Sequence, residues 1–213
     1  MKIKFNNVMP SFLASINHGS DSIWGNEFEL LSKQKVVLNA SSGKGKSTFT
    51  NTILGVKNDY SGSLLFDNED IKGWDLEKWA IIRRDKIAVV FQDLQLFPSL
   101  TVKENLILKN DLTNTFNEEK LRSLLSALDL ANKWEMPCGL LSMGQQQRVA
   151  IIRALSQPFE WLILDEPFSH LDEENTQRCL SLINSRCNEI EAGFILTTLG
   201  DFHGFNYDKE LKL

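Results

Sequence analysis

The chain has 213 residues, 42% of them apolar and 24% charged, and a formal net charge of -5. That length supports one sizeable core with a smaller lobe, and the acidic balance argues against a nucleic-acid partner, whose footprint is clustered Lys and Arg. No stretch approaches the roughly 20 apolar residues that cross a bilayer, and Met1-Lys2-Ile3-Lys4-Phe5-Asn6-Asn7 turns polar too early for a secretory leader, so action at a membrane requires another chain.

Short apolar runs alternate with longer amphipathic ones, which predicts an α/β fold with a mainly parallel sheet. Strands are expected at Ile3–Val8, Lys35–Asn39, Ile87–Phe91, Trp161–Leu164 and Phe194–Thr198. The polar, Gly-bearing stretch Asn58–Gly73 should fold back as hairpins, with Ser63-Leu64-Leu65-Phe66 leading into a turn at Asp67-Asn68. Between Phe97-Pro98 and Leu140 two helical patterns replace the strands, about Val102–Lys109 and Glu118–Leu130, the second with Leu121, Leu124, Leu125 and Leu128 on one face. Ser142 is a natural N-cap for a further helix running to about Leu155. Cys138, Cys179 and Cys187 lack C-x-x-C spacing and are odd in number, so they read as reduced thiols, the last two packed in a helix. Trp74, Trp79, Trp134 and Trp161 read as packing residues. Asp67–Asp75 reads as a solvated turn and helix start, because it lacks the Gly and Glu spacing of a calcium loop.

Two segments carry chemistry. Val36-Val37-Leu38-Asn39 is followed by Ala40-Ser41-Ser42-Gly43-Lys44-Gly45-Lys46-Ser47-Thr48 and an apolar helix. Strand, loop and helix in that order match the phosphate loop G-x-x-x-x-G-K-[ST], with Ala40 in place of the first glycine. Backbone N–H groups of such a loop surround a phosphate, the Lys46 amine reaches the terminal phosphates, and the Ser47 hydroxyl binds Mg²⁺. Ala40 costs little unless its φ is positive. Further on, Trp161-Leu162-Ile163-Leu164 ends in Asp165-Glu166, a buried strand that delivers carboxylates to the ligand edge of a sheet. Asp165 suits a Mg²⁺ shell, and Glu166, pointing the other way, suits a base for an attacking water. A Lys/Ser-rich surface turn and a solvated acidic turn are the bland alternatives, and the presence of both segments weighs against each.

Leu141-Ser142-Met143-Gly144-Gln145-Gln146-Gln147-Arg148 resembles the L-S-G-G-Q signature of ABC (ATP-binding cassette) ATPases. Val90-Phe91-Gln92 and the following Leu96–Asn105 resemble the Q-loop and its continuation, Ser169-His170-Leu171-Asp172 resembles the D-loop, and Phe12 stands where the family places an aromatic on adenine. The resemblance covers the whole chain in the family's order. It is similar above all to the ATP-binding subunits of the lipoprotein-release and macrolide-export group. It implies a P-loop NTPase core with an N-terminal antiparallel β region, and a helical subdomain inserted between Q-loop and signature. The whole is one ABC ATPase domain, residues 1–92 and 157–213 forming the core and about 93–156 the helical part.

The resemblance further implies ATP and Mg²⁺ as cofactors. Lys46, Gln92 and Glu166 would be catalytic, 40–48 with Phe12 would bind ATP, and Ser47, Gln92 and Asp165 would hold the metal. Ser142, Met143, Gly144 and Gln145, with Asp172 of the D-loop, would act across a head-to-tail dimer, on the ATP of a second ABC subunit, identical or not. A separately encoded membrane permease would contact the Q-loop and helical lobe, placing the subunit in the cytoplasm on the inner face of the membrane. Besides Ala40, two departures bear on activity: Met143 replaces the first signature glycine, and Leu199 stands where the family has a histidine that bonds the γ-phosphate. His203 reads as a surface histidine that would replace it only if the loop rearranges. Slow hydrolysis is therefore expected. A small-molecule P-loop kinase explains the phosphate loop but leaves the signature and D-loop unexplained. A regulatory or cell-division-type ABC subunit with weak hydrolysis remains an alternative.

Overall fold

The computed structural model describes residues 1–213 apart from Ser20 and Ser42. In chain order the strands are β1 (Ile3–Pro10), β2 (Phe28–Leu30), β3 (Lys35–Asn39), β4 (Tyr60–Phe66), β5 (Glu69–Asp70), β6 (Ile87–Val90), β7 (Trp161–Asp165), β8 (Gly193–Thr198) and β9 (Lys209–Lys212). The helices are α1 (Lys46–Ile53), α2 (Leu76–Asp85), α3 (Val102–Asn110), α4 (Glu118–Ala127), α5 (Met143–Leu155) and α6 (Glu173–Glu189).

The apolar runs assemble into a five-stranded sheet of order β6-β7-β8-β3-β9 in which every neighbouring pair is parallel. Both faces are covered, so β7 and β8 are buried at every position. Strand alternation divides their side chains between two cores. Leu162, Leu164, Phe194 and Leu196 pack with residues of α3 to α6. Trp161, Ile163 and Ile195 pack with α1 and a second sheet. That second sheet is antiparallel, of order β2-β1-β4-β5, and Phe5 at its centre stacks on Phe28 and on Phe49 of α1. Asp67 and Asn68, at φ 47° and 74°, close the β4–β5 hairpin, as two-residue turns of that kind require. Where β1 shifts register between Asn6 and Met9, Gly62 passes so close that a Cβ there would lie 2.4 Å from the Asn6 and Asn7 carbonyl oxygens.

Helices α3, α4 and α5 lie between β6 and β7 in the chain, the inserted helical lobe. Thr101 and Glu104 form a reciprocal cap on α3. The fully buried Asn105 side chain accepts from the Phe97 N–H at 2.9 Å and donates to the Phe97 carbonyl at 3.0 Å, tying the segment after β6 to α3. Helix α4 stops at Ala127, short of the expected Leu130, because Asp129 turns left-handed at φ 57°; Leu128 and Leu130 stay fully buried. Strands β2 and β9 escape the apolar-run reading. In Lys209-Glu210-Leu211-Lys212 only Leu211 is buried, and the strand is held by parallel pairing with β3.

Trp79, Trp134 and Trp161 are buried packing residues, and Trp74 packs edge-on against Phe66 and Trp79. All three cysteines are free and fully buried. Burial pushes Cys138 up to about 11 and Cys179 and Cys187 up to about 12, so none supplies a thiolate near neutral pH. At pH 8 Ellman's reagent is expected to leave all three unmodified in the folded protein and to titrate all three in denaturant. Fast labelling of the native chain would contradict this packing.

Candidate nucleotide site

β3 ends at Asn39 and the loop that follows enters α1 through Gly45, at φ 103°, preceded by Gly43 at φ 78°. A Cβ on Gly45 would lie 3.1 Å from Leu13 Cδ1 and 3.3 Å from Trp24 Nε1, so conformation and space both call for glycine. Ala40 is outside the positive-φ residues and its N–H donates to the Thr198 carbonyl at 3.2 Å, so the missing first glycine carries no backbone penalty. Ser41 and Lys44 are exposed, with the Lys44 N–H donating back to the Ser41 carbonyl, and Thr48 is buried in the first turn of α1. Ser42 lies outside the described residues. The Lys46 side chain is 6% exposed; its ammonium donates to the Ala40 carbonyl at 2.8 Å and sits 3.1 Å from Glu166 Oε1. Phe12 is half exposed at the rim of the same cavity of about 280 Å³, with the Lys57 ammonium 4.6 Å from its ring centroid.

Asp165 ends β7 and is 3% exposed. The Thr197 hydroxyl donates to Asp165 Oδ1 at 2.7 Å and accepts the Glu166 N–H at 3.1 Å, so one side chain of β8 fixes both acids. Among the described residues no cation pairs with Asp165. Ser47, Gln92 and Asp165 line one cavity of about 600 Å³. A hydroxyl, a carboxamide oxygen and an unpaired carboxylate form a hard-oxygen set that fits Mg²⁺. Glu166, at φ 49°, breaks the strand direction, and its carboxylate turns back to Lys46.

The signature residues lie elsewhere. Ser142 caps α5, its hydroxyl accepting the Gln145 N–H at 3.3 Å while Gln145 Oε1 accepts the Ser142 N–H at 3.0 Å. A Cβ on Gly144 would lie 2.7 Å from the His170 carbonyl oxygen, and Gln147 Nε2 donates to the Ser169 hydroxyl at 2.8 Å. The signature and the 169–172 turn are thus one packed unit. Asp172 caps α6 by accepting the Asn175 N–H at 2.8 Å, and hydrogen bonds from Asn175 hold its carboxyl below the usual range. Met143 is 47% exposed on the outer side of this unit. None of Ser142, Met143, Gly144 and Gln145 lines the phosphate-loop cavity.

Leu199 is 60% exposed at the end of β8, between the phosphate-loop cavity and an adjoining one of about 250 Å³. His203 differs from the expected surface histidine. Its side chain is 15% exposed, its Nδ1 lies 3.2 Å from Asp201 Oδ2, and its ring meets Phe168 edge-on at 5.1 Å. Sequence reasoning missed the contacts that Thr197 makes with both acids and that Asp201 makes with His203. The only signal for Thr197 was a hydroxyl within an apolar strand next to the predicted acids.

The ABC transporter family profile matches residues 25–169. An ABC transporter ATP-binding protein of Bacillus subtilis, YtrE, is 35% identical over 164 residues, 75% of this chain and 71% of that protein. A thiamine import ATP-binding protein of Haemophilus influenzae, ThiQ, is 34% identical over 169 residues, 78% of this chain and 75% of that one. The matched part spans only 46% of several mycobacterial relatives. A dimeric bacterial ABC transporter cassette, MJ0796, superposes with a TM-score of 0.82 at 26% identity, covering 99% of this chain and 94% of that one. The same cassette in a post-hydrolysis state with ADP and Pi gives 0.76 at 27% identity, covering 92% and 87%. The chain belongs to the ABC transporter family. It is an ATP-binding and ATP-hydrolysing subunit of the kind that powers a membrane transporter through a paired cassette.

Proposed function

We propose that Glu166 is the base of ATP hydrolysis and Lys46 the principal phosphate ligand. The observation that carries this reading is the 3.1 Å pair between them at the mouth of a glycine-turned loop. An incoming triphosphate takes the Lys46 ammonium, and the released carboxylate is left beside the terminal phosphate to accept a proton from water. Backbone N–H groups of 40–48 bind the phosphates, and the Phe12 ring takes the adenine. Ser47, Gln92 and Asp165 hold Mg²⁺, which when bound withdraws charge from the phosphate oxygens.

The capping of α5 aims its N-terminus outward from a unit that does not reach the chain's own phosphate loop, so Ser142–Gln145 serve the nucleotide of a second cassette. Asp172 belongs to that same face. The subunit sits on the inner face of the membrane through a permease chain. We place the permease contact in the groove of about 540 Å³ beside edge strand β6, where Val56, Phe97 and Leu108 are exposed. Among the described residues Arg83, Lys109 and Arg153 line it and no acidic side chain does, and burial pushes Lys109 and Arg153 below their usual ranges. Such a groove suits an apolar helical segment carrying a carboxylate.

The test is solution mass by light scattering for the unchanged chain and for Glu166→Gln, each with and without Mg-ATP. An ATP-dependent dimer of the Gln variant is expected. ATP binding without any dimer in either protein would overturn self-pairing and leave a non-identical cassette as the partner.

A further inference from the structure

Glu166 faces two cavities, the phosphate-loop cavity and the adjoining one that also contains His203 and Asp201. In the structure its carboxylate rests on Lys46. A bound triphosphate claims that ammonium and repels the carboxylate, which then needs another donor. Charged groups deprived of a hydrogen-bond partner in a partly buried site are costly, so the choice of new partner is restricted. Besides Glu166 the adjoining cavity is lined by two further carboxylates, Glu173 and Asp201, the hydroxyls of Ser169, Thr176, Thr197 and Thr198, and one ring N–H side chain, His203. The Thr197 hydroxyl already donates to Asp165, that of Thr198 to the Asp201 carbonyl, and Ser169 is paired with Gln147 and His170.

The His203 backbone is already held, its main-chain N–H donating to Asp201 Oδ1 at 2.7 Å and its carbonyl accepting from Gln177 Nε2 at 2.7 Å, and Asp201 Oδ2 faces the ring Nδ1 at 3.2 Å. Phe168, two residues after Glu166, closes the ring edge-on. Among the described residues Nε2 takes no hydrogen bond. An imidazole fixed on one side by a carboxylate and open on the other is preorganised for a second acceptor.

We propose that His203 is a positioning residue for hydrolysis: held by Asp201, it donates to the Glu166 carboxylate once the triphosphate has taken Lys46. This rests on the reading of Glu166 as the base. His203 acts through Glu166 and leaves the phosphate-facing position of Leu199 unfilled.

The experiment measures kcat and KM for Mg-ATP, ATP affinity by displacement of a fluorescent ATP analogue, and melting temperature. The proteins are the unchanged chain, His203→Ala, His203→Gln, His203→Phe, Glu166→Gln and the His203→Ala/Glu166→Gln double variant. Loss of a hydrogen bond to a charged group predicts kcat about 10- to 100-fold lower in His203→Ala, with ATP affinity within twofold. His203→Gln, which keeps an N–H donor, is expected to recover most of the loss, and His203→Phe, which keeps only the ring packing, to recover little. The double variant should turn over no more slowly than Glu166→Gln alone, because one residue acts through the other. Recovery by Phe but not Gln, full turnover in His203→Ala, or additive losses would each overturn the proposal. If Glu166→Gln itself hydrolyses at the unchanged rate, the assignment of the base has failed, a result distinct from failure of His203 alone. Should His203→Ala melt too low to assay, the Gln and Phe pair decides.

Discussion

Glu166→Gln is expected to lower kcat by roughly 10²–10⁴-fold, the usual worth of a positioned base, while ATP affinity holds or tightens. Gln keeps the shape of the side chain, and the backbone that carries it is set independently, through the Glu166 N–H on the Thr197 hydroxyl. What the substitution removes is the negative charge. In the free protein that charge pairs with Lys46 at 3.1 Å, so its loss frees the ammonium for phosphate and removes a repulsion from the triphosphate. A rate loss with preserved affinity therefore separates a base from a phosphate ligand. A coupled assay of phosphate release, beside displacement of a fluorescent ATP analogue, reads both. Turnover within threefold of the unchanged chain would remove Glu166 from the role. Loss of binding would make it a structural prop of the loop.

The parallel sheet was legible because β3, β6, β7 and β8 are continuous apolar runs, as strands covered on both faces must be. The helix after Ser142 was legible from its cap, and the hairpin at Asp67-Asn68 from residues that tolerate positive φ. Strand β9 was not legible, since pairing with β3 and not its own Lys-Glu-Leu-Lys composition makes it a strand. The phosphate loop and the acids at the end of β7 are candidates that local spacing alone proposes, and the structure brings Lys46 and Glu166 within 3.1 Å. The Thr197 contacts and the path of the His203 loop have no such signal. Thr197 matters because β8 runs beside β7 in register, Asp165 opposite Thr197, a tertiary fact with no local trace. His203 reaches the cavity because Gly200 at φ 114° and His203 at φ 50° fold the loop back over Phe168, and that path cannot be read from residue spacing. The signature glycine shows the reverse case. Gly144 has a packing reason inside this chain, the His170 carbonyl 2.7 Å from where its Cβ would be, whatever it also does toward a partner.

Leu199→His is expected to raise kcat by at least about 10-fold, toward the 10²–10³ that one preorganised donor to developing charge is worth. Leu199 follows β8 directly and borders the phosphate-loop cavity, and its side chain is 60% exposed, so a histidine there displaces no buried packing. The gain should appear in kcat with little change in ATP affinity, because the donor matters most when the terminal phosphate is being transferred. It should also survive in a His203→Ala background, since His203 acts on Glu166 and a histidine at 199 on the phosphate side of the same wall. A rate unchanged by Leu199→His would mean that hydrolysis in this chain is limited by a step other than phosphoryl transfer. Cassette closure is then the first candidate, because Met143 projects from the signature unit where a glycine would let two backbones approach. Met143→Gly, measured as ATP-dependent dimer mass in the Glu166→Gln background, tests that step apart from chemistry: a larger dimer fraction at the same ATP concentration would assign the slow step to the methionine, and an unchanged fraction would clear Met143 of hindering closure.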